Sequence, residues 1–79
     1  MITAWQRPLG DIAEERLVRF GRRRFAISVS VREDDRGFCI EARCGRHLVS
    51  RIQASDRDGL SAAIAQAMEE AQARLMEAL

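Results

Sequence analysis

The stretch Phe25-Ala26-Ile27-Ser28-Val29-Ser30-Val31-Arg32 decides the fold. Phe25, Ile27, Val29 and Val31 alternate with small or polar residues, the period-two pattern of a strand buried on one face. Downstream, Glu33-Asp34-Asp35-Arg36-Gly37 reads as a polar turn. A second strand follows, with Phe38, Ile40, Ala42 and Cys44 on one face and Cys39, Glu41 and Arg43 on the other. Gly45-Arg46 fits a two-residue hairpin turn with glycine first. The third strand runs from about His47 to Ala54, with Leu48, Ile52 and Ala54 inward and Val49, Arg51 and Gln53 outward. Links this short imply an antiparallel meander.

Beyond the strands, Ser55 or Asp56 can cap a helix, and Ser55 with Asp58 has capping-box spacing. Leu60, Ile64, Ala67, Met68, Ala71, Leu75 and Leu79 form a stripe at helical period. Seven alanines after Gly59 add propensity. A helix from Asp56 to the chain end is roughly 35 Å long, against about 25 Å for the strands. Its overhanging end, with Leu75, Met76 and Leu79, is a candidate dimer contact.

Upstream, Asp11 and Glu14 have capping-box spacing, Ile12, Ala13, Leu17 and Phe20 lie at helical period, and Gly21 suits a helix stop. The spacing predicts a short helix over residues 11–20; a strand through Leu17 to Phe20 is the alternative. Residues 1–9 read as irregular, with Pro8 setting an extended approach and Trp5 either anchoring the segment to the core or lying exposed. The expected fold is therefore α+β. It is a three-stranded antiparallel meander with a short N-terminal helix and a long C-terminal helix packed on one face (αβββα), in one domain over residues 1–79.

With 79 residues, the chain is near the lower limit for a single apolar core and has little material for a deep pocket. It is 47% hydrophobic and 32% charged, a globular composition. The segment Met1 to Leu9 contains no apolar run, so no signal peptide is expected. The longest apolar stretches are far short of about 18 residues, so no membrane span is expected, and the cytoplasm is the plain reading. Every basic residue except His47 is arginine, whose planar fork suits phosphate and carboxylate.

Charge is uneven along the chain. Residues 1–54 hold eleven arginines against seven acids, a net of +4, and residues 55–79 hold two against five, a net of −3. Arg16, Arg19, Arg22, Arg23 and Arg24 occur within nine residues with no acid between them. Arg32, Arg43 and Arg51 alternate outward on neighbouring strands and can form a stripe across the uncovered sheet face. Arg22, Arg23, Arg24, Arg32, Arg43 and Arg51 are thus candidates for an anion-binding face. The alternative is a solvated surface in which these arginines pair with Glu33, Asp34, Asp35 and Glu41.

Other chemistry finds little purchase. Cys39 and Cys44 are five apart on one strand and point to opposite faces, so they share neither a metal nor a disulfide. Cys44 reads as core and Cys39 as exposed. One histidine does not complete a zinc site. His47 has no serine placed as a partner, and Glu69 and Glu70, adjacent on a helix, diverge. No glycine-rich phosphate loop occurs. The sequence therefore predicts a non-enzymatic protein with no cofactor.

Helix–three strands–helix is the order of double-stranded RNA-binding domains, which the chain resembles over most of its length. Those domains open the last helix with a lysine-rich cluster, whereas this one reads Asp56-Arg57-Asp58-Gly59, which disfavours duplex RNA. The size, the meander-plus-helix plan and the capped, alanine-rich stretch from Ala54-Ser55-Asp56-Arg57-Asp58-Gly59-Leu60 to Met68 resemble small phage-encoded anti-CRISPR proteins. That resemblance implies a stoichiometric inhibitor that binds a bacterial RNA-guided effector complex and blocks target DNA recognition or nuclease recruitment. It would oppose arginine-rich grooves with acids, here Glu33, Asp34 and Asp35 in the hairpin and Asp56, Asp58, Glu69, Glu70 and Glu77 on the last helix. The chain departs from net-charge DNA mimicry by carrying +1. The expected partner is a protein, such as a CRISPR effector complex. Nucleic acid is the alternative, no membrane is expected, and the expected state is a monomer or weak homodimer.

Overall fold

The computed structural model describes residues 11–78. It contains four strands, β1 (Asp11–Phe20), β2 (Arg23–Asp34), β3 (Gly37–Cys44) and β4 (His47–Ala54). A 3-10 turn over Arg57–Gly59 then leads into one helix, α1 (Leu60–Ala78). The strands form a single antiparallel sheet in sequence order, β1-β2-β3-β4. The fold is α+β, but it is ββββα and not the αβββα expected from the sequence. The expectation for Trp5 and the irregular approach through Pro8 lie outside the described residues.

The difference lies at residues 11–20. The helical reading puts Ile12 and Leu17 on a buried face, yet they are 61% and 69% exposed, and Val18 is the buried residue. Gly21-Arg22 is a two-residue turn and not a helix stop: Gly21 has φ +61°, and Phe20 pairs directly with Arg23. A ten-residue helix is marginal alone. As a strand, the same segment gains a nine-pair ladder with β2, from Asp11↔Val31 to Phe20↔Arg23, interrupted by one bulge at Ala13. With a strand in place of the first helix, the topological likeness to double-stranded RNA-binding domains is also gone.

The registers put Ile27, Val29, Val31, Phe38, Ile40, Ala42, Ile52 and Ala54 on the face covered by α1. The helix contributes Ala63, Ala67, Met68 and Ala71, all buried, with Leu60, Ile64 and Leu75 partly buried around them. Alanines at 63, 67 and 71 lie one above another on one face, so the helix backbone approaches the sheet closely, while Met68 fills the remaining space. Asp56, and not Ser55, caps the helical segment, its Oδ1 accepting from the Gly59 amide at 3.0 Å. Polar side chains fix the helix across the sheet. Arg16 on β1 donates to Glu69 at 2.9 Å and Gln72 at 3.1 Å, Ser50 on β4 donates to Glu70 at 3.0 Å, and Arg74 donates to the Val49 carbonyl at 2.6 Å.

A second bulge changes one inward assignment. Arg43 pairs with Leu48 but Ala42 with Ser50, so Val49 is the extra residue. Leu48 therefore turns to the face opposite α1, where it is 45% exposed, while Ser50 and half-buried Val49 pack on the helix side. Among the described residues, no helix is long and apolar enough to cross a membrane.

Candidate functional site

A meander places alternate turns at opposite ends of the sheet. The β1–β2 and β3–β4 turns share one end, and the β2–β3 turn is at the other. The two turns at the shared end are not level. Cys44 is the last β3 residue and pairs with Ile27, whereas β2 begins at Arg23. The β1–β2 hairpin thus overhangs its neighbours by four residues, about 13 Å. Its inner side is stiffened by Phe20 and Phe25, whose ring centroids are 5.9 Å apart at an interplanar angle of 53°.

Arg22, Arg23 and Arg24 crown this overhang, and all are exposed. Arg22 occupies the turn, Arg23 pairs with Phe20 on the helix side, and Arg24 pairs with Arg19 on the opposite side. Three consecutive arginines therefore splay in three directions from one narrow tip. Arg46, also exposed, lies in the neighbouring turn at the same end. Among the described residues, none of these four nor Arg19 lies within ion-pair distance of an acid.

The arginines expected to form a stripe are differently placed. Arg32, Arg43 and Arg51 all project from the face opposite α1, but in three different cross-strand rows: Arg32↔Cys39↔Gln53, Ser30↔Glu41↔Arg51 and Ser28↔Arg43↔Leu48. Glu41 sits among them, only 3% exposed. Its two oxygens lie 3.5 Å from Arg43 and 3.3 Å from Arg51. Two of the three arginines thus share a single carboxylate, and the Arg43–Glu41–Arg51 group keeps a net charge of +1. Arg43 Nε is buried without a partner among the described residues.

Cys39 is buried on this same face and Cys44 is only partly buried, the reverse of what alternation along the strand implies. The Cys39 sulfur, by hydrogen bonding and then by charge, and next Glu41, raise the Arg51 guanidinium above its ordinary pKa. Above Cys39 is a shallow cleft of ≈ 430 Å³ bordered by Arg32, Arg36, Arg51, Asp34 and Asp35. It holds charges of both signs, and Asp34 is already engaged by the Arg36 amide at 2.9 Å and by Gln53 at 3.3 Å. Glu33, Asp34 and Asp35 are exposed at this end of β2, away from the arginine tip. The ends of one hairpin strand thus carry opposite charge.

Elsewhere, Glu69 is tied to Arg16, and Glu70 accepts from Ser50 and Gln66. His47 is exposed at the start of β4. Among the described residues, no group of three His, Cys, Asp or Glu is placed to hold a metal ion. Sequence reasoning misses Arg46 and leaves Arg19 out of the candidate face. The available signal is the dipeptide Gly-Arg, which occurs at 21–22 and 45–46 with the same glycine φ of +61°. No protein-family model, curated protein or solved structure matches this chain.

Proposed function

We propose that the protein is a non-catalytic nucleic-acid-binding module that uses its overhanging β1–β2 hairpin to engage the phosphate backbone. The observation that carries this reading is the crown of Arg22, Arg23 and Arg24, exposed and, among the described residues, without an ion-paired acid, at a tip narrow enough to enter a groove. A two-stranded ribbon fits the major groove of a duplex, and arginines splayed to both sides of it meet phosphates on both walls. Phe20 and Phe25 point inward, so among the described residues no aromatic stands on the crown, and the contact of its arginines is electrostatic and tolerant of sequence.

The test is fluorescence anisotropy of labelled single- and double-stranded DNA and RNA over a salt series. If the three arginines neutralise three duplex phosphates, log K falls with log salt at a slope of about −2.7, or about 40-fold between 50 and 200 mM. Replacing Arg22, Arg23 and Arg24 with alanine should abolish most of that slope. An unchanged slope removes the hairpin from the interaction.

The exposed acids at the other end, Glu33, Asp34 and Asp35, favour a second reading. In it the protein is an inhibitor of the anti-CRISPR kind, pressing those carboxylates into an arginine-lined groove of an RNA-guided effector complex. Absence of nucleic-acid binding at low salt, with capture of a purified effector complex that is lost on replacing these three acids, would select it.

A further inference from the structure

Among the described residues, β1 pairs only with β2, and its other edge is free. Helix α1 packs most heavily on β4 and least on β1, so it leaves this edge uncovered. Long edge strands with exposed apolar side chains are templates for further pairing. This edge is ten residues long, and Leu17 at its middle is 69% exposed.

We infer that the free edge of β1 pairs antiparallel with β1 of a second copy, on a two-fold axis through Leu17, making one continuous eight-stranded sheet. The side-chain order of β1 carries this register. Glu15, Leu17 and Arg19 lie on the same face, opposite α1. With the axis at Leu17, Leu17 meets its own copy, Glu15 meets the partner's Arg19, and Arg19 meets the partner's Glu15. On the helix side, Arg16 faces the partner's Val18. Other registers lack this match. An axis at Glu15 or Arg19 sets like charges face to face, one at Arg16 sets two arginines together, and one at Val18 leaves Leu17 opposite Arg19. Within one copy, moreover, Arg19 faces Arg24, and neither Glu15 nor Arg19 has an ion pair among the described residues. The second copy supplies both missing counter-charges.

The symmetry has a consequence that rests on the nucleic-acid reading. Arg22 is five residues from the axis, so the two tips point oppositely and are separated by about 34 Å along the strands. Tips that point away from each other do not enter one straight duplex, so the dimer presents its two arginine crowns to two separate duplexes and bridges them.

Sedimentation over a wide concentration range tests the pairing without any ligand. The wild-type chain should show a concentration-dependent dimer. Glu15→Arg and Arg19→Glu should each raise the dimer dissociation constant by at least about tenfold, since each sets two pairs of like charges face to face. The double variant, with the charges exchanged, should restore it. A monomer at all concentrations, or a dimer indifferent to the single exchanges, overturns the pairing. Circular dichroism of each variant separates loss of pairing from loss of fold. Bridging is read separately, from capture of a free labelled duplex on an immobilised one by the wild-type chain: no co-capture overturns it. Failure of the chain to bind nucleic acid bears on the hairpin reading and leaves the sedimentation result standing.

Discussion

Replacing Glu41 with glutamine should destabilise the fold and strengthen anion binding at the same time. The carboxylate is 3% exposed and bridges Arg43 and Arg51. Glutamine preserves the volume, so no cavity opens. Its amide nitrogen, however, is a donor, so one of the two guanidiniums faces a donor where it had an oxygen, and both lose the negative charge. The Arg43 side chain is 26% exposed, and its Nε is already buried without a partner. Leaving a partly buried donor such as the Arg43 guanidinium unserved costs about 1–3 kcal/mol. The Arg43 ion pair is long, 3.5 Å, which keeps its loss in the middle of that range, about 1.5–2 kcal/mol. The Arg51 side chain is 59% exposed, and solvent screening leaves its share out of the sum. In a domain this size, 1 kcal/mol moves Tm by about 4–8 °C, so a fall of about 6–16 °C is expected. Urea unfolding and a thermal melt followed by circular dichroism measure it. In parallel, releasing two arginines on the face opposite α1 should increase affinity for a polyanion at low salt. A stability change below about 0.5 kcal/mol, the range of an ordinary surface substitution, would refute the idea that Glu41 is the electrostatic pin of that face.

Two further predictions concern the core and the β2–β3 turn. Met68 is fully buried where α1 meets the sheet, and Met68→Ala should cost about 2–5 kcal/mol, read as a lower urea midpoint with an unchanged m-value. Gly37 has φ +123°, and a Cβ there would collide with the Ala54 carbonyl. Gly37→Ala should therefore destabilise by more than about 1 kcal/mol, and an equal or higher Tm would show that the turn relaxes freely.

The alternation of Phe25 to Val31 and of Phe38 to Cys44, together with the stripe from Leu60 to Leu75, is enough to place β2, β3 and α1 and to bring the helix onto their common apolar face. Those patterns are local: one face of each element is apolar at its own period, and no other packing hides it. The segment from Asp11 to Phe20 has no single period of this kind, because its apolar residues fit a helical spacing as well as a strand. Its state is set by pairing with β2 and by the left-handed φ at Gly21, a long-range ladder and a turn that no window of ten residues contains. The same holds on the face opposite α1. Sequence alternation puts Arg32, Arg43 and Arg51 there. Only the register of β3 against β4 brings Glu41 between two of them, and only the bulge at Val49 turns Leu48 outward. The run of arginines from 22 to 24 is visible as composition. That it stands on an overhanging tip, clear of every acid among the described residues, follows from the unequal reach of two hairpins, a property of tertiary structure alone.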